Sequence, residues 1–376
     1  MNVDQLKPEK GLGIFVAGYR WSGSGAVSDW LGGHSALCRV RDSEAAFGEI
    51  RALNYGLRFL LLTAAGRIPY GEKLGRWALC PDPRWWSEVL GPPISRERGR
   101  LAFFYLLLDW LYFSAARLKV IPSVRKYKQL LDSQLGQDFR HDEEYQETVR
   151  QLVAVLRSFA RRSRSSGRQE KPENDNSLRL VFSQIIDLFA RRIGTDGQIL
   201  VFDNAISGLH PEFFHLLHPN VFPGQIILFV RRDPRDQFAE LVKYSGSTFP
   251  WSVGSFIRQY RQAQEKTQRF IDEAAAQNAE GAGRRFIRRI SFETFVLNKN
   301  GVREQLQQDL QNFWKPYGLP VEPQWRQAAT GQKIDDGANG LFNPENSKKN
   351  IGIWRSSNLP RQMLRIRNEL ADYIEE

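Results

Sequence analysis

The chain has 376 residues, of which 41% are hydrophobic and 25% are charged, and its formal net charge at pH 7 is +11. This composition excludes an intrinsically disordered chain and is typical of a folded globular protein. A basic surface attracts anions, but the charge alone does not choose between nucleotides, sulfated glycans, nucleic acid, acidic membranes and simple solubility.

The chain has two cysteines, Cys38 and Cys80, which form no CxxC pair. Neither a zinc site nor a disulfide framework is therefore predicted, and a reducing compartment is expected. Residues 1–11 lack the apolar core of a signal peptide. We expect a cytoplasmic location.

The first predicted elements are a strand, a glycine-rich turn and a helix. Residues 12–17 form a short apolar run that ends at Gly18, and residues 24–32 carry apolar side chains at helical spacing. A second strand is predicted over residues 37–40. Strand, tight turn and helix together form the unit on which phosphate-binding loops are built.

The middle of the chain predicts a helical insertion, residues 53–195, inside a single domain that spans residues 1–376. Polar residues dominate 161–177, which we expect to be a mobile loop. Residues 101–118 are apolar enough to be a transmembrane candidate. Asp109 at the centre of this stretch favours a buried or interfacial helix instead, with peripheral membrane contact left open.

Three further strands are predicted, over residues 198–202, 225–230 and 286–290, the last at an edge because arginines interrupt it. Helices are expected over 178–192, over 251–276 and after Pro360. Strands separated by helices imply parallel pairing. The sequence therefore predicts a three-layer α/β/α sandwich with a central parallel sheet and a P-loop. Ligands bind such sheets at the carboxyl ends of the strands.

The first motif is the segment Gly18 to Gly25, which reads GYRWSGSG. Small residues at a helix N-terminus let a phosphate approach unpaired backbone N–H groups. An alternative is a plain turn in which Ser24 caps the helix. The spacing of Gly18 and Gly23 also matches a Walker loop, but Ser24 stands where that loop has lysine. Arg20 is then the nearby cation for the phosphate.

The second motif is RRDPRD, residues 231–236, which follows a buried strand. Arginines at a strand end favour an anion site. Asp233 is expected to cap the helix that Pro234 begins. The alternative is that Asp233 and Asp236 only pair with the neighbouring arginines.

With these residues in place, the chain resembles the PAPS-dependent sulfotransferases, in particular their bacterial or carbohydrate-type members. Members of this family share a loop of the form x-[RK]-S-G-[TS]-[TS] after the first strand, an R-D-P-x-D segment after a later strand, and a G-x-W segment near the C-terminus. The corresponding segments here are residues 21–25, 232–236 and 352–354. The loop cation stands one place early, at Arg20 instead of Trp21.

The resemblance implies roles for individual residues. PAPS would be the co-substrate, held at its 5′-phosphosulfate by Arg20, Trp21, Ser22, Gly23, Ser24 and Gly25. Arg232 would contact its 3′-phosphate, with Lys348 and Lys349 nearby. Glu240 stands where the family often has a serine for the same phosphate, and it would repel a phosphate if it pointed inward.

The catalytic residues expected are Arg20, Glu49 and His210. Sulfuryl transfer needs a base near the acceptor hydroxyl, and carbohydrate-type members place a glutamate at about the distance of Glu49 after the loop. His210 is the second candidate for the base. The nearby histidines lie among apolar residues, so no metal site is predicted.

The expected function is transfer of a sulfuryl group from PAPS to an acceptor hydroxyl, on a carbohydrate by analogy with the family. Two alternatives stay open. One is a kinase-like P-loop phosphotransferase that needs magnesium, and the other is a non-catalytic protein that binds polyanions. Nucleic acid is not an expected partner, and the oligomeric state is not predicted.

Overall fold

The structure is a computed structural model. It describes residues 12–19, 22–34, 37–39, 175–193, 199–204, 206, 208–245, 253–279, 284–317 and 342–374, with isolated helical positions between 143 and 162. Residues 41–142 lie outside the described residues, as do most of the predicted insertion and of the predicted loop over residues 161–177. The apolar stretch over residues 101–118 also lies there.

Five parallel strands form the central sheet, in the order β2-β3-β1-β4-β5. The predicted α/β fold with a central parallel sheet is confirmed, and each strand lies within a few residues of its predicted position. The strands are β1 (Leu12–Gly18), β2 (Leu37–Arg39), β3 (Ile199–Asp203), β4 (Gly224–Arg231) and β5 (Arg284–Ser291).

Besides the isolated helical positions between 143 and 162, eight α-helices accompany these strands in the part of the chain that the structure describes. They are α1 (Ser24–Gly32), α2 (Asn176–Ile193), α3 (Pro234–Ser245), α4 (Val253–Ala279), α5 (Phe292–Leu297), α6 (Val302–Trp314), α7 (Pro344–Lys348) and α8 (Pro360–Glu369). Short 3₁₀ turns lie at Pro211–Leu216, Lys299–Gly301, Lys315–Tyr317, Ile353–Ser356 and Ala371–Tyr373.

Helices cover both faces of the sheet, which explains why the central strands are almost continuously apolar. Ile14 and Val16 of β1 belong to the buried cluster that includes residues of α1, α5 and α6. On the opposite face, the Phe229 ring of β4 contacts Phe270 of α4, with centroids 5.7 Å apart. Side chains alternate between faces along each strand, so one apolar run contributes to the packing on both faces of the sheet.

The sheet has its topological switch point between β1 and β4. From β1 the chain continues through α1 to β2, on one side of β1, whereas β5 follows β4 on the other side. In open α/β sheets a crevice at the carboxyl ends of the strands opens at such a point. Gly18 ends β1 and Arg231 ends β4, so two predicted site segments lie at this crevice.

The chain forms two compact units. One comprises residues 1–40, 190–214 and 219–376, and the other comprises residues 41–189 and 215–218. The sheet and the segments discussed below belong to the first unit. Among the helices that the structure describes, none has the length and hydrophobicity needed to cross a membrane.

Candidate functional site

The loop between β1 and α1 makes its turn at Gly23. This residue has a left-handed backbone, with φ 85°, and is the N-cap residue of α1. A Cβ at this position would lie 2.2 Å from the Phe292 ring. Glycine is therefore required both by the backbone angle and by the ring. The alternative in which Ser24 caps α1 is wrong, because Gly23 is the cap residue and Ser24 is already in the helix.

Gly18, at the start of the loop, is packed closely against Ser22 and Gly208. A Cβ on Gly18 would lie 1.7 Å from Ser22 Oγ, and one on Gly208 would lie 2.7 Å from the Gly18 carbonyl carbon. Ser22 is 2% exposed. Among the described residues its Oγ has no hydrogen-bond partner. Buried hydroxyls without a partner are uncommon, so Ser22 Oγ is a candidate donor for a ligand oxygen.

Asn204 fixes both ends of the loop. Its Oδ1 accepts a hydrogen bond from the Gly18 backbone N–H at 3.0 Å, and its Nδ2 donates to Ser24 Oγ at 2.7 Å. Its backbone is left-handed, with φ 53°, a conformation that asparagine tolerates better than most residues. The loop is thus held in shape by the neighbouring strand β3 rather than by the loop sequence alone.

A carboxylate lies beside the first turn of α1. Asp203 is 7% exposed, and its Oδ2 lies 3.7 Å from the position that a Cβ on Gly25 would occupy. In a Walker loop the residue at the position of Gly25 is the serine or threonine that binds magnesium. A carboxylate at the end of a neighbouring strand completes such metal sites in P-loop enzymes.

The side chain of Arg232 already binds other residues of the protein. It is 3% exposed and forms an ion pair with Glu240 through Nη1, while Nη2 donates to the backbone oxygen of Asn350. Its guanidinium carbon also lies 5.1 Å from the centre of the Phe292 ring. Glu240 therefore points toward Arg232, the orientation in which it would repel a 3′-phosphate at this arginine.

Asp233 caps α3, as the sequence predicts. Its Oδ1 accepts from the Arg235 backbone N–H at 2.8 Å, and its carboxylate pairs with the Arg235 guanidinium at 2.6 Å. Its own backbone N–H donates to Glu293 Oε1 at 2.9 Å. Burial raises the pKa of Glu293, and the hydrogen bond from Asp233 opposes this rise without cancelling it.

Asp236 joins the arginine motif to the C-terminal segment. The carboxylate is 1% exposed and accepts from the backbone N–H groups of Gly352 at 2.7 Å and Trp354 at 3.0 Å. Burial raises its pKa although these two hydrogen bonds lower it. The Arg235 guanidinium lies over the Trp354 ring, 4.3 Å from its centre. Segments that are 116 residues apart in the chain are thus directly bonded.

Lys348 and Lys349 lie close in sequence to Asn350, whose carbonyl binds Arg232. Both lysines are exposed. Lys348 Nζ pairs with Glu345 at 2.6 Å, and Lys349 Nζ donates to Asn346 at 3.2 Å. Exposed lysines on a short helix can change partners at low cost.

His210 is 7% exposed and interacts with its neighbours in the chain. Its Nδ1 lies 3.1 Å from Glu212 Oε1, and its ring stacks on Phe213 at 5.2 Å. The pKa of Glu212 is lowered, because hydrogen bonds, including that from His210, and the charge of Lys266 outweigh the opposing effect of burial. These contacts favour a structural role, and the catalytic role of His210 stays a prediction.

Arg20, Trp21 and Glu49 lie outside the described residues, so their roles also stay predictions. Within the described part of the chain, no group of three or more metal-ligating side chains comes together.

Sequence reasoning missed Asn204 and Glu293 as organisers of the site. Asn204 had a usable signal, since an asparagine directly after a buried strand often takes a left-handed turn. Glu293 had none, because its partner, the Asp233 backbone, is 60 residues away in the chain.

Comparison with known protein families, with characterised proteins and with solved structures finds no match to this chain.

Proposed function

We propose that this protein is a sulfotransferase that moves a sulfuryl group from PAPS to an acceptor hydroxyl, and that the acceptor is a carbohydrate. One observation carries the proposal: contacts link the three segments that resemble sulfotransferase motifs, at the carboxyl ends of the strands. Asp236 binds the backbone of Gly352 and Trp354. Phe292 contacts both the Gly23 turn and Arg232.

The loop supports binding of the 5′-phosphosulfate. The helix N-terminus carries a partial positive charge and unpaired N–H groups. Ser22 Oγ adds a buried hydroxyl with no partner among the described residues. In this proposal the hydroxyl donates to an oxygen of the phosphosulfate, and Arg20 neutralises part of its charge.

The reaction needs positioning and a base. The acceptor oxygen forms a bond to sulfur while the bond between sulfur and the phosphate oxygen breaks, which releases adenosine 3′,5′-bisphosphate. The acceptor proton passes to a base, for which Glu49 remains the proposed residue. Holding the acceptor and the leaving oxygen in line is the main contribution of the protein.

Glu240 would regulate the affinity for the 3′-phosphate. Because Glu240 already pairs with Arg232, a phosphate at Arg232 must displace this carboxylate. The proposal therefore implies weaker nucleotide binding than a serine at position 240 would give.

A second candidate function is a kinase-like phosphotransferase with magnesium. Asp203 favours it, since its carboxylate lies beside Gly25 at the loop and could bind a magnesium ion through water. The lack of a lysine at Ser24 and of a hydroxyl at Gly25 weighs against it.

The unfolding temperature, measured with adenosine 3′,5′-bisphosphate, with ADP, or with ATP and magnesium, distinguishes the sulfotransferase from the kinase. A ligand at about 100 times its dissociation constant stabilises by roughly 2.7 kcal/mol, a shift of a few degrees. We expect the bisphosphate to give the largest shift. A shift with ATP and magnesium alone would favour the kinase, and no shift with any nucleotide would contradict both.

Two serine variants sharpen this test. Ser22→Ala should weaken bisphosphate binding about tenfold, since one hydrogen bond to a charged group is lost. Ser28→Ala is the matched control, because Ser28 Oγ is also buried without a partner among the described residues but lies inside α1. Equal affinities in the two variants would remove Ser22 from the site. Transfer of labelled sulfate from PAPS to a glycan panel then identifies the acceptor.

A further inference from the structure

A small pocket lies at the switch point, on the face of the sheet that α4 covers. The ends of β1 and β4 supply Gly18 and Arg231, β5 supplies Arg289, and α4 supplies Gln264 and Thr267. Gly208 closes one side, where its Cα approaches the Gly18 backbone so closely that a Cβ would clash. The interior has room for about one water-sized group and is partly open to solvent.

The pocket brings two arginines together by strand register. Arg289 is paired with Phe229 across β4 and β5, and Arg231 lies two residues farther along β4. Residues two apart on a strand point to the same face, so Arg231 and Arg289 are diagonal neighbours on the α4 face. Diagonal neighbours in a sheet lie within reach of each other when their side chains are long.

The charged side chains that line this pocket are both arginines. Arg231 and Arg289 are the ionised groups among its lining residues, and the remaining side chains are neutral. Arg289 Nε is buried without a hydrogen-bond partner among the described residues, while its Nη2 donates weakly to the Gln264 backbone oxygen at 3.5 Å. Burial lowers the pKa of Arg289 and the charge of Arg231 lowers it further, while smaller effects, including the charge of Asp272, oppose the fall. An anion in the pocket would offset the cost of burying the Arg289 charge and the repulsion between the two arginines.

We propose that the pocket between Arg231 and Arg289 is a binding site for a compact oxyanion, a sulfate or phosphate group that inserts one or two oxygens and leaves the others at the mouth. Guanidinium groups suit such oxygens because their N–H donors match them in pairs. Thr267 and Gln264 add neutral polar groups at the α4 wall. This inference does not depend on which nucleotide the β1–α1 loop binds.

Chemical modification of arginine tests the site in the wild-type protein. Phenylglyoxal labelling, mapped by mass spectrometry, should show Arg289 and Arg231 protected by sodium sulfate but not by sodium chloride at the same ionic strength. Equal labelling of both arginines in the two salts would overturn the proposal, since it would mean that water occupies the pocket.

Two variants on one strand provide the matched comparison. Sodium sulfate should raise the unfolding temperature of the wild type more than sodium chloride at the same ionic strength, and Arg289→Gln should lose at least half of that difference. Arg288→Gln should keep it, because Arg288 lies on the opposite face and pairs with Asp309. If Arg289→Gln keeps the full rise, the sulfate binds elsewhere and the proposal fails. If that variant does not fold, the labelling result in the wild type decides.

A final arm identifies the source of the oxyanion. Protection of Arg289 by adenosine 3′,5′-bisphosphate, and not by AMP, would show that the group belongs to a nucleotide. Protection by sulfate alone would show a separate ion site, and either result supports the pocket. Failure of the proposed function is read separately, from the absence of a thermal shift of the wild type with any nucleotide.

Discussion

The glycine loop and the arginine motif lie at the same edge of the sheet but use their polar groups in opposite ways. In the loop, Ser22 keeps a buried hydroxyl without a partner among the described residues. In the arginine motif, Arg232 is paired with Glu240, and Asp236 accepts two backbone N–H groups. The loop therefore keeps a buried hydroxyl unpaired among the described residues, as the proposed function requires, whereas the side chains of Arg232 and Asp236 bind other parts of the protein.

This difference teaches that a motif rich in charge need not be the segment with the most binding capacity. Arginines next to carboxylates satisfy each other when the fold brings them together. In the described part of the glycine loop, Asn204 binds Gly18 and Ser24, and the Ser22 hydroxyl stays without a partner. Substitutions at four residues, each with a control at a second residue, test this contrast.

The largest effect is expected from Gly23→Ala. A left-handed backbone costs a non-glycine residue about 1–2 kcal/mol, and crowding in a packed region adds about 1–3 kcal/mol. The added Cβ would meet Phe292 at 2.2 Å. We expect the free energy of unfolding to fall by about 4 kcal/mol in urea titrations.

Gly25→Ala is the control for this change. Among the described residues, a Cβ at Gly25 would contact only Asp203 Oδ2, at the ordinary distance of 3.7 Å. Alanine is favoured in a helix by about 0.5–1 kcal/mol over glycine, so this variant should be as stable as the wild type or more stable. Similar losses in both variants would contradict the geometry of the turn.

Asp236→Ala should lower the free energy of unfolding by about 3 kcal/mol, because two backbone N–H groups lose their acceptor. Asp236→Asn retains one acceptor oxygen and should lose less. Glu345→Ala removes an exposed carboxylate from a surface pair and should change stability by less than about 0.5 kcal/mol. A small effect of Asp236→Ala would mean that residues 352–354 are held by other contacts.

Glu240→Gln should change stability and binding in opposite directions. The free energy of unfolding should fall by about 2 kcal/mol, because the buried Arg232 guanidinium loses its charged partner. Nucleotide affinity, measured by calorimetry, should rise because no carboxylate then competes for Arg232. Asp309→Asn, which breaks a more exposed pair with Arg288, should leave the affinity unchanged, and a fall in affinity on Glu240→Gln would argue against a phosphate at Arg232.

The smallest effect is a pH dependence at Glu293. Its folded pKa is raised by burial, so the folded state holds this proton more tightly than the unfolded state. The stability from this proton is present below the unfolded pKa and is lost as pH rises through the folded pKa. The stability of the wild type relative to Glu293→Gln should therefore fall as pH rises above the ordinary pKa of a glutamate, about 4.3.

Glu304 gives the opposite sign. Hydrogen bonds from Asn298 lower its pKa, so its contribution should be lost as pH falls. Urea titrations of both glutamine variants at several pH values check the two signs, and a matching sign in both would contradict the assignment for Glu293.

Much of the fold could be predicted because local patterns agree with it. The apolar runs that predict β1, β3 and β4 are buried on both faces of the sheet, and a run that is buried on both faces must be continuously apolar. Asp233 before Pro234 predicts the start of α3, since this cap depends only on neighbouring residues. The Ser24 cap was wrong because two residues in one turn compete for that role and the Phe292 ring favours Gly23.

By itself, the sequence determined the parallel sheet, the position of the glycine loop and the excess of positive charge, since hydrophobic period, turn residues and composition are local properties. Only the tertiary structure decided which polar groups satisfy each other. In the folded chain Arg232 pairs with Glu240, and Asp236 accepts hydrogen bonds from the backbone of Gly352 and Trp354. Arg231 and Arg289 line one pocket. These partners come from different strands and helices, and contacts between distant segments are fixed by packing rather than by neighbouring residues.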